Sequence, residues 1–556
     1  MFVSNSLDAL IVGAGFAGLY QLHSLRKLGY SCKIVEEAGG MGGVWYWNNY
    51  PGARVDTHVP IYEFGFDNLP KDFIWTERFP GRSDLLRYFD YLDKKLDLSK
   101  DVVFNTKLIR AEFDTNTSRW NATTSTGYTC NCKFLILCTG ALTKHFIPDF
   151  KGIDLYKGTI HHTGRWPQEG VPTAGKKVAT IQEIGPVVSH LTVFQRTPNI
   201  CLPMRQRILT ESEQTISKAD GTYDEIYKTR PKTFAGFDYE FINRNCIEDT
   251  PEKRREVFEK LWAEGGFRPW LGAYVDIVFN KESNDEAYNF WAEKCRERIT
   301  DPKKKDLLAP LLENQIHTFG TKRPSLEQNF YEVCNQENVD IIDILETPIE
   351  TFTERGIRMT NGKEYQFDII VLATGYDALT GTFTGIDIVG TDGRTIAEKW
   401  KDGIETYLGM TMANFPNLFM TYGPQAPTAF ANGTVMAEVQ GSFITRIIHD
   451  LSTQSPPIST IEPLPSSEAT WHAKITELAS PSLFLNTKGW YINSNIPGKH
   501  VEMSIYLGGV PKFIEELEKS LEGDRGAWVF DKYSKRDEGE EKLGTVREAL
   551  AETGDD

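Results

Sequence analysis

No stretch of this 556-residue chain is apolar for long enough to span a bilayer, which excludes a membrane helix. The chain also lacks an excess of basic residues: 61 lysines and arginines face 77 aspartates and glutamates, a formal net charge of −16. That balance argues against nucleic acid or anionic membranes as partners, and nothing in the sequence points to a protein partner. The eight cysteines include no Cys-x-x-Cys pair, and the ten histidines show no metal-ligand spacing. The cysteines therefore read as buried or free thiols of a reducing compartment. His161 and His162 are the only adjacent histidines, and neighbours along a chain point apart. The first strand begins near Asp8, which leaves no room for a leader and predicts a cytoplasmic protein. Hydrophobic residues at 40% and charged residues at 25% describe a globular chain with core enough for two or three domains.

What is present is concentrated between Asp8 and Glu36. Asp8 to Val12 reads as a buried strand, and Gly13-Ala14-Gly15-Phe16-Ala17-Gly18 turns it into a helix. Leu19, Leu22, Leu25 and Leu28 give that helix an apolar stripe, and Gly29 ends it. Ser31 to Val35 makes a second strand ending in Glu36. Together these form a complete βαβ dinucleotide fingerprint. Gly13 permits the tight turn, Gly15 lets backbone approach a pyrophosphate, and Gly18 lets helix pack on strand. The helix N-terminus faces the phosphates, and Glu36 accepts from a ribose hydroxyl.

A glycine-rich stretch follows, Gly39 to Gly43, and then the aromatics Trp45, Tyr46, Trp47 and Tyr50. After a dinucleotide fold it reads as the cradle of an isoalloxazine ring. Asp56 is either a carboxylate near the reactive edge of that ring or a turn residue satisfied by local backbone. Ser83 to Leu98 is predicted to be a helix capped by its serine. Val102–Leu108, Arg110–Asp114, Trp120–Thr124 and Tyr128–Cys132 have the spacing of an antiparallel meander. Phe134 to Gly140 is a separate buried strand ending in Thr-Gly, and Ile369 to Asp377 nearly copies it. The predicted fold class is α/β, with two nested Rossmann-like domains and a helical insertion.

Between the two halves, Tyr156-x-Gly158-x-x-x-His162-x-x-x-Trp166-Pro167 resembles the fingerprint of type I Baeyer–Villiger flavin monooxygenases, with tyrosine for the usual phenylalanine. The resemblance runs from Asp8 to about Phe530, with its motifs in the family's order. It implies FAD and NADP(H) as cofactors, and an oxygen of O2 inserted beside a ketone carbonyl through a C4a-peroxyflavin to give an ester or lactone. For FAD it implies contacts from Gly13, Gly15, Ala17, Gly18, Glu36, Gly43, Val44, Trp45, Asp56, Tyr62 and Leu108. For NADP(H) it implies Arg54, Val55, Arg196, Thr197, Lys322, Arg323 and Trp490. Arg196, Thr197 and Lys322 would hold the adenosine 2′-phosphate, while Trp490 would face the ribose and nicotinamide side. His162 belongs to the link between domains.

Arg323, in Thr321-Lys322-Arg323-Pro324, is the implied catalytic centre. A permanent cation there favours an anionic oxidant and stabilises a developing oxyanion. Asp56 would orient it through a charge-assisted hydrogen bond. Pro427 to Phe430 would sit beside the substrate. The implied domains are 1–150 and 379–530 for FAD, 151–205 and 316–378 for NADP, a helical insertion at 206–315, and an unfolded acidic tail at 531–556.

One family element is missing. Gly175 to Ile181 reads as the first strand of the NADP unit, but Gln182-Glu183-Ile184-Gly185-Pro186-Val187-Val188-Ser189-His190 follows in place of a glycine loop. Parallel neighbouring strands need a crossover of about a dozen residues or more, usually helical. About ten residues are absent relative to the family spacing, including the loop that would face a pyrophosphate. A misplaced splice junction or a deletion would leave such a gap. Two other functions compete with the ketone reading: a nitrogen- or sulfur-oxidising flavin monooxygenase, against which Trp166 and Arg323 count, and an FAD-binding protein, a pseudoenzyme or redox-neutral isomerase, that no longer uses NADPH.

Overall fold

The computed structural model describes residues 5–178, 183–428, 430–523 and 525–533. The first unit is built as the fingerprint requires. Strand β1 (Asn5–Val12) leads into helix α1 (Phe16–Lys27), which returns to strand β2 (Cys32–Val35). β2 lies parallel to β1, with Val12 opposite Val35. Gly29 follows the helix at φ +85°, a left-handed position that frees the chain to reverse. Helix α2 (Arg82–Leu96) and strands β3 (Val102–Val103), β4 (Leu108–Asp114), β5 (Arg119–Thr124) and β6 (Thr129–Leu137) complete the first half. The sheet runs β4-β5-β6-β1-β2-β3, and a late strand, Asp387–Val389, extends it beside β4.

Three expectations need correction. Tyr128–Cys132 and Phe134–Gly140 are not two strands but one, β6. Its first part pairs antiparallel with β5, its last three residues pair parallel with Leu418–Met420, and β1 runs along its other edge. The shift from alternating to continuous burial marks a change of cover, not a strand end. Val102–Val103 accordingly lies parallel to β2 and outside the meander. Helix α2 begins after Gly81 with no side-chain cap, and Ser83 sits inside it. The late strand Leu418–Met420 is short, because Pro416 before it offers no N–H and Asn414 and Asn417 adopt positive φ.

The second unit contains β7 (Thr159–His162), β8 (Lys177–Val178), β9 (His190–Gln195), β10 (Cys201–Pro203), β11 (Ser325–Glu327), β12 (Val339–Asp343) and β13 (Ile369–Leu372). β12, β9 and β8 form one parallel sheet, and the second Thr-Gly strand, β13, pairs with β7 so that Leu372 stands opposite His162. The expected strand from Gly175 to Ile181 is described over Lys177–Val178; residues 179–182 lie outside the described residues. So does the acidic tail from Ser534 onward. Between the halves of this unit stand helices α3 (Pro251–Glu264), capped by Thr250, and α4 (Lys281–Arg298), capped by Asn280. All eight cysteines are buried free thiols. No helix among the described residues is long and apolar enough to cross a membrane.

The insertion is tied to the first unit through buried charge. Arg230 is fully buried and donates to both carboxylate oxygens of Glu438 (2.9 and 2.8 Å) and to the carbonyls of Ile61 and Glu63. The adjacent Glu63 carboxylate accepts from Trp75 Nε1 at 2.7 Å and Tyr227 Oη at 2.5 Å. Burial pushes its pKa up to about 7 despite those bonds. Between its ordinary value of 4.5 and about 7 the folded chain keeps a proton that the unfolded chain releases. The contribution to stability is therefore full below pH 4.5 and declines as pH rises through about 7. Glu63→Gln should remove this loss, on the order of 1–3 kcal/mol. Thermal melts at pH 5 and pH 8 check it: the fall in Tm between them should be smaller in the variant than in the parent.

Candidate active site

One cavity opens at the C-terminal ends of β1, β2 and β6, the usual place for ligands in open α/β sheets, and a second lies beside Asp56 and Arg323. The first, about 540 Å³, lies over the N-terminus of α1. The amides of Phe16, Ala17 and Gly18 precede the first helical bond, Leu19 N–H to the Gly15 carbonyl at 3.0 Å, and so are left for an anion. Gly13 and Gly18 cannot carry a side chain. A Cβ on Gly13 would fall 2.6 Å from the Cys138 carbonyl oxygen, and one on Gly18 only 1.9 Å from that of Gly13. Glu36 is buried at the end of β2, where its carboxylate accepts from the amides of Ala14 (2.6 Å) and Ala38 (2.7 Å). Burial nevertheless raises its pKa.

Gly13, Gly15, Ala17, Glu36, Gly43, Val44, Trp45, Tyr62 and Leu108 all line this cavity. Trp45 Nε1 donates to Tyr62 Oη at 3.1 Å, fixing both rings at the wall. Gly18 lies behind the lining, at the helix–strand contact. A cavity that brings helix amides and a buried acidic group together fits a flavin dinucleotide. Sequence reasoning missed much of the remaining wall: Thr139 to His145, Arg165, Thr382 and Gly433. The Thr139-Gly140 strand end was the one visible signal for it.

The second cavity, about 780 Å³, adjoins Asp56 and Arg323. Arg323 donates from Nε to Asp56 Oδ2 at 2.7 Å and from Nη2 to Oδ1 at 3.0 Å. Its guanidinium also lies 4.8 Å from the centre of the Phe267 ring. Burial disfavours the Arg323 charge, but the Asp56 carboxylate more than offsets this and holds the pKa above its ordinary value. The resulting side chain is a permanent, two-point-anchored cation. Arg54 and Val55 line the same space, and Arg54 is bonded to Glu77 and to the Phe79 carbonyl.

Arg196, Thr197, Lys322 and Trp490 line neither cavity. Lys322 is nevertheless close enough to Arg196 for that charge, after burial, to lower its pKa. Trp490 packs edge-on against Tyr491 at 4.4 Å. Trp166, missed as a lining residue, is buried at the second cavity. His162 is buried in the link, where its Nδ1 accepts from Gly164 N–H at 3.0 Å and its ring meets Tyr376 edge-on at 5.8 Å. Asp377, next to Tyr376, pairs with Lys144 at 3.1 Å and with Lys499, joining three distant segments beside the first cavity.

Residues 11–73 match the model of the NAD(P)-binding Rossmann-like domain. Over 530 residues the chain is 43% identical to cyclopentanone 1,2-monooxygenase of Comamonas sp., covering 94% of this chain and 95% of that one. It is 34% identical over 524 residues to a Baeyer–Villiger monooxygenase of Pseudooceanicola batsensis, covering 92% and 94%. The chain belongs to the Baeyer–Villiger flavin monooxygenases. A solved structure of OTEMO in complex with FAD and NADP superposes with a TM-score of 0.88 at 32% identity, covering 95% of this chain and all of that one. FAD and NADP(H) are the cofactors of this Baeyer–Villiger enzyme, and its fold is the family's pair of nested Rossmann-like domains. The first cavity, with its helix amides and the buried Glu36, suits FAD. Arg196 and Lys322 are two cations close enough to interact, and Arg323 lies near Tyr62 and Tyr422 of the first cavity, while the sequence after β8 carries no glycine loop.

Proposed function

We propose that this Baeyer–Villiger enzyme inserts one oxygen of O2 beside the carbonyl of a small cyclic or polycyclic ketone, forming an ester or lactone. The Arg323–Asp56 pair carries the reading: a cation held by two bonds at a cavity between the two nucleotide units. FAD, when bound and reduced by NADPH, supplies the activated oxygen. Arg323 stabilises the negative charge that develops on the ketone oxygen, and Asp56 positions it. Gly13, Gly15, Ala17, Gly18, Glu36, Gly43, Val44, Trp45, Tyr62 and Leu108 hold the flavin dinucleotide, with Asp56 near its ring. Arg196, Thr197 and Lys322 take the adenosine 2′-phosphate, and Arg54, Val55 and Trp490 border the nicotinamide. Residues 1–150 and 379–530 serve FAD, 151–205 and 316–378 serve NADP(H), and 206–315 wall the substrate pocket.

The partners in this reading are a ketone and O2, without nucleic acid, membrane or a protein partner, and the setting is cytoplasmic. The net charge of −16 and the eight free thiols support it. Cyclopentanone, the substrate in the Comamonas relative's name, is the natural first compound to test. Purified holoprotein with millimolar NADPH and air should convert it to the ring-expanded lactone, followed by gas chromatography with mass detection. Sulfoxide from an aryl sulfide with no lactone from any ketone would overturn the proposal. Anaerobic bleaching of the flavin by NADPH, beside a dithionite control, separates failed reduction from failed oxygen insertion.

A further inference from the structure

The short strand Leu418–Met420 delivers Tyr422 to the wall of the first cavity. Tyr422 adopts φ +56°, a left-handed conformation that is unfavourable for a bulky residue and persists only where its surroundings impose it. Two bonds impose it here. Thr421 N–H donates to the Leu137 carbonyl at 3.0 Å, and Tyr422 N–H donates to Oε1 of Gln440 at 3.0 Å. Gln440 is itself fully buried in helix α5 (Gly433–Thr453). The backbone thus commits the Tyr422 side chain to this wall.

The hydroxyl it carries there is unused. Tyr422 Oη is buried and, among the described residues, has no hydrogen-bond partner, whereas Tyr62 Oη accepts from Trp45. It sits beside two other lining residues: a Cβ on Gly433 would fall 2.7 Å from Tyr422 Oη and 3.7 Å from Tyr62 Cε2. Burial pushes the hydroxyl's pKa well above its ordinary value, and the Arg323 charge, which acts the other way, is near enough to be felt. The group is therefore a neutral donor at physiological pH. Glu36 stands at the end of the cavity that suits a ribose, while Tyr62 and Tyr422 stand at the end nearer the Arg323–Asp56 pair, where a flavin ring belongs. A buried donor without an acceptor is unfavourable, and a native fold keeps one where a ligand completes it.

We propose that Tyr422 Oη donates a hydrogen bond to the isoalloxazine ring of bound FAD and so makes that ring easier to reduce. Negative charge gathers on the ring heteroatoms on reduction, and a fixed donor beside them favours the reduced form. The inference rests on the reading of the first cavity as the flavin's, which the flavin loss expected of Gly15→Ala tests separately. Its own test uses neither NADPH nor ketone, so it can fail while lactone formation succeeds. The two-electron potential of bound FAD is measured anaerobically, by stepwise dithionite reduction against a reference dye, in parent and Tyr422→Phe holoprotein. Loss of the hydroxyl should shift the reduction equilibrium towards oxidised flavin by about three- to tenfold, roughly 15–30 mV, and move the flavin absorption bands. The ring stays in place, so the apoprotein Tm should be no lower than parental, while the rise in Tm on adding FAD should be smaller. A Tyr422→Phe holoprotein with parental potential would overturn the proposal, as would an apoprotein Tm that falls by as much as the holoprotein's.

Discussion

Arg323→Lys is expected to lower kcat for ketone oxidation by about 10²–10³-fold while FAD remains bound. Lysine keeps the charge but not the planar fork that meets both Asp56 oxygens at 2.7 and 3.0 Å. The ammonium would settle on one oxygen or withdraw towards water, and a cation misplaced by an ångström stabilises developing charge poorly. Asp56→Asn should be milder, about tenfold, since one acceptor oxygen survives while the charge that holds the guanidinium is lost. In both variants NADPH consumption should exceed lactone formation, measured side by side. A lysine variant with parental kcat would show that Arg323 does not face the reacting carbonyl.

Gly18→Ala should cost the protein both its fold and its flavin, whereas Gly15→Ala should cost only the flavin. The two glycines belong to one loop, but their surroundings differ. A Cβ on Gly18 would stand 1.9 Å from the Gly13 carbonyl oxygen and 3.0 Å from its carbon, so α1 would have to lift off β1. Backbone cannot give way as a side chain can, and the expected loss is at least about 3 kcal/mol, the top of the usual overpacking range. A Cβ on Gly15 meets nothing closer than the Gly43 Cα at 3.5 Å, an ordinary contact. It would instead occupy space in the cavity where a phosphate must approach. Flavin absorbance and melting temperature distinguish the outcomes: Gly15→Ala should yield a colourless protein with a near-parental apoprotein melt, and Gly18→Ala a low melt or aggregate. Equal behaviour of the two variants would refute this division of roles.

The first βαβ unit was legible residue by residue because its determinants are local. Strand, turn glycines, helix stripe and acidic strand end follow one another within Asp8–Glu36, and each acts on its neighbours. The sequence after β8 shows no glycine loop for the same reason, since such a loop is a short local pattern. Asp56 and Arg323 lie 267 residues apart, and no local pattern links them; their pairing comes from the family resemblance and depends on how the two nucleotide units pack. Strand β6 was divided wrongly because a change of neighbours along one strand looks, in sequence, like the end of a strand. Glu63 gave no signal, since its raised pKa exists only after the insertion covers it and Tyr227 and Trp75 close around it. Sequence by itself determined the dinucleotide fold of the first unit, because it rests on short-range sterics and hydrogen bonding. Tertiary packing decided the anchored cation and the buried carboxylate, because burial and charge pairing arise between segments that meet only when the chain is folded.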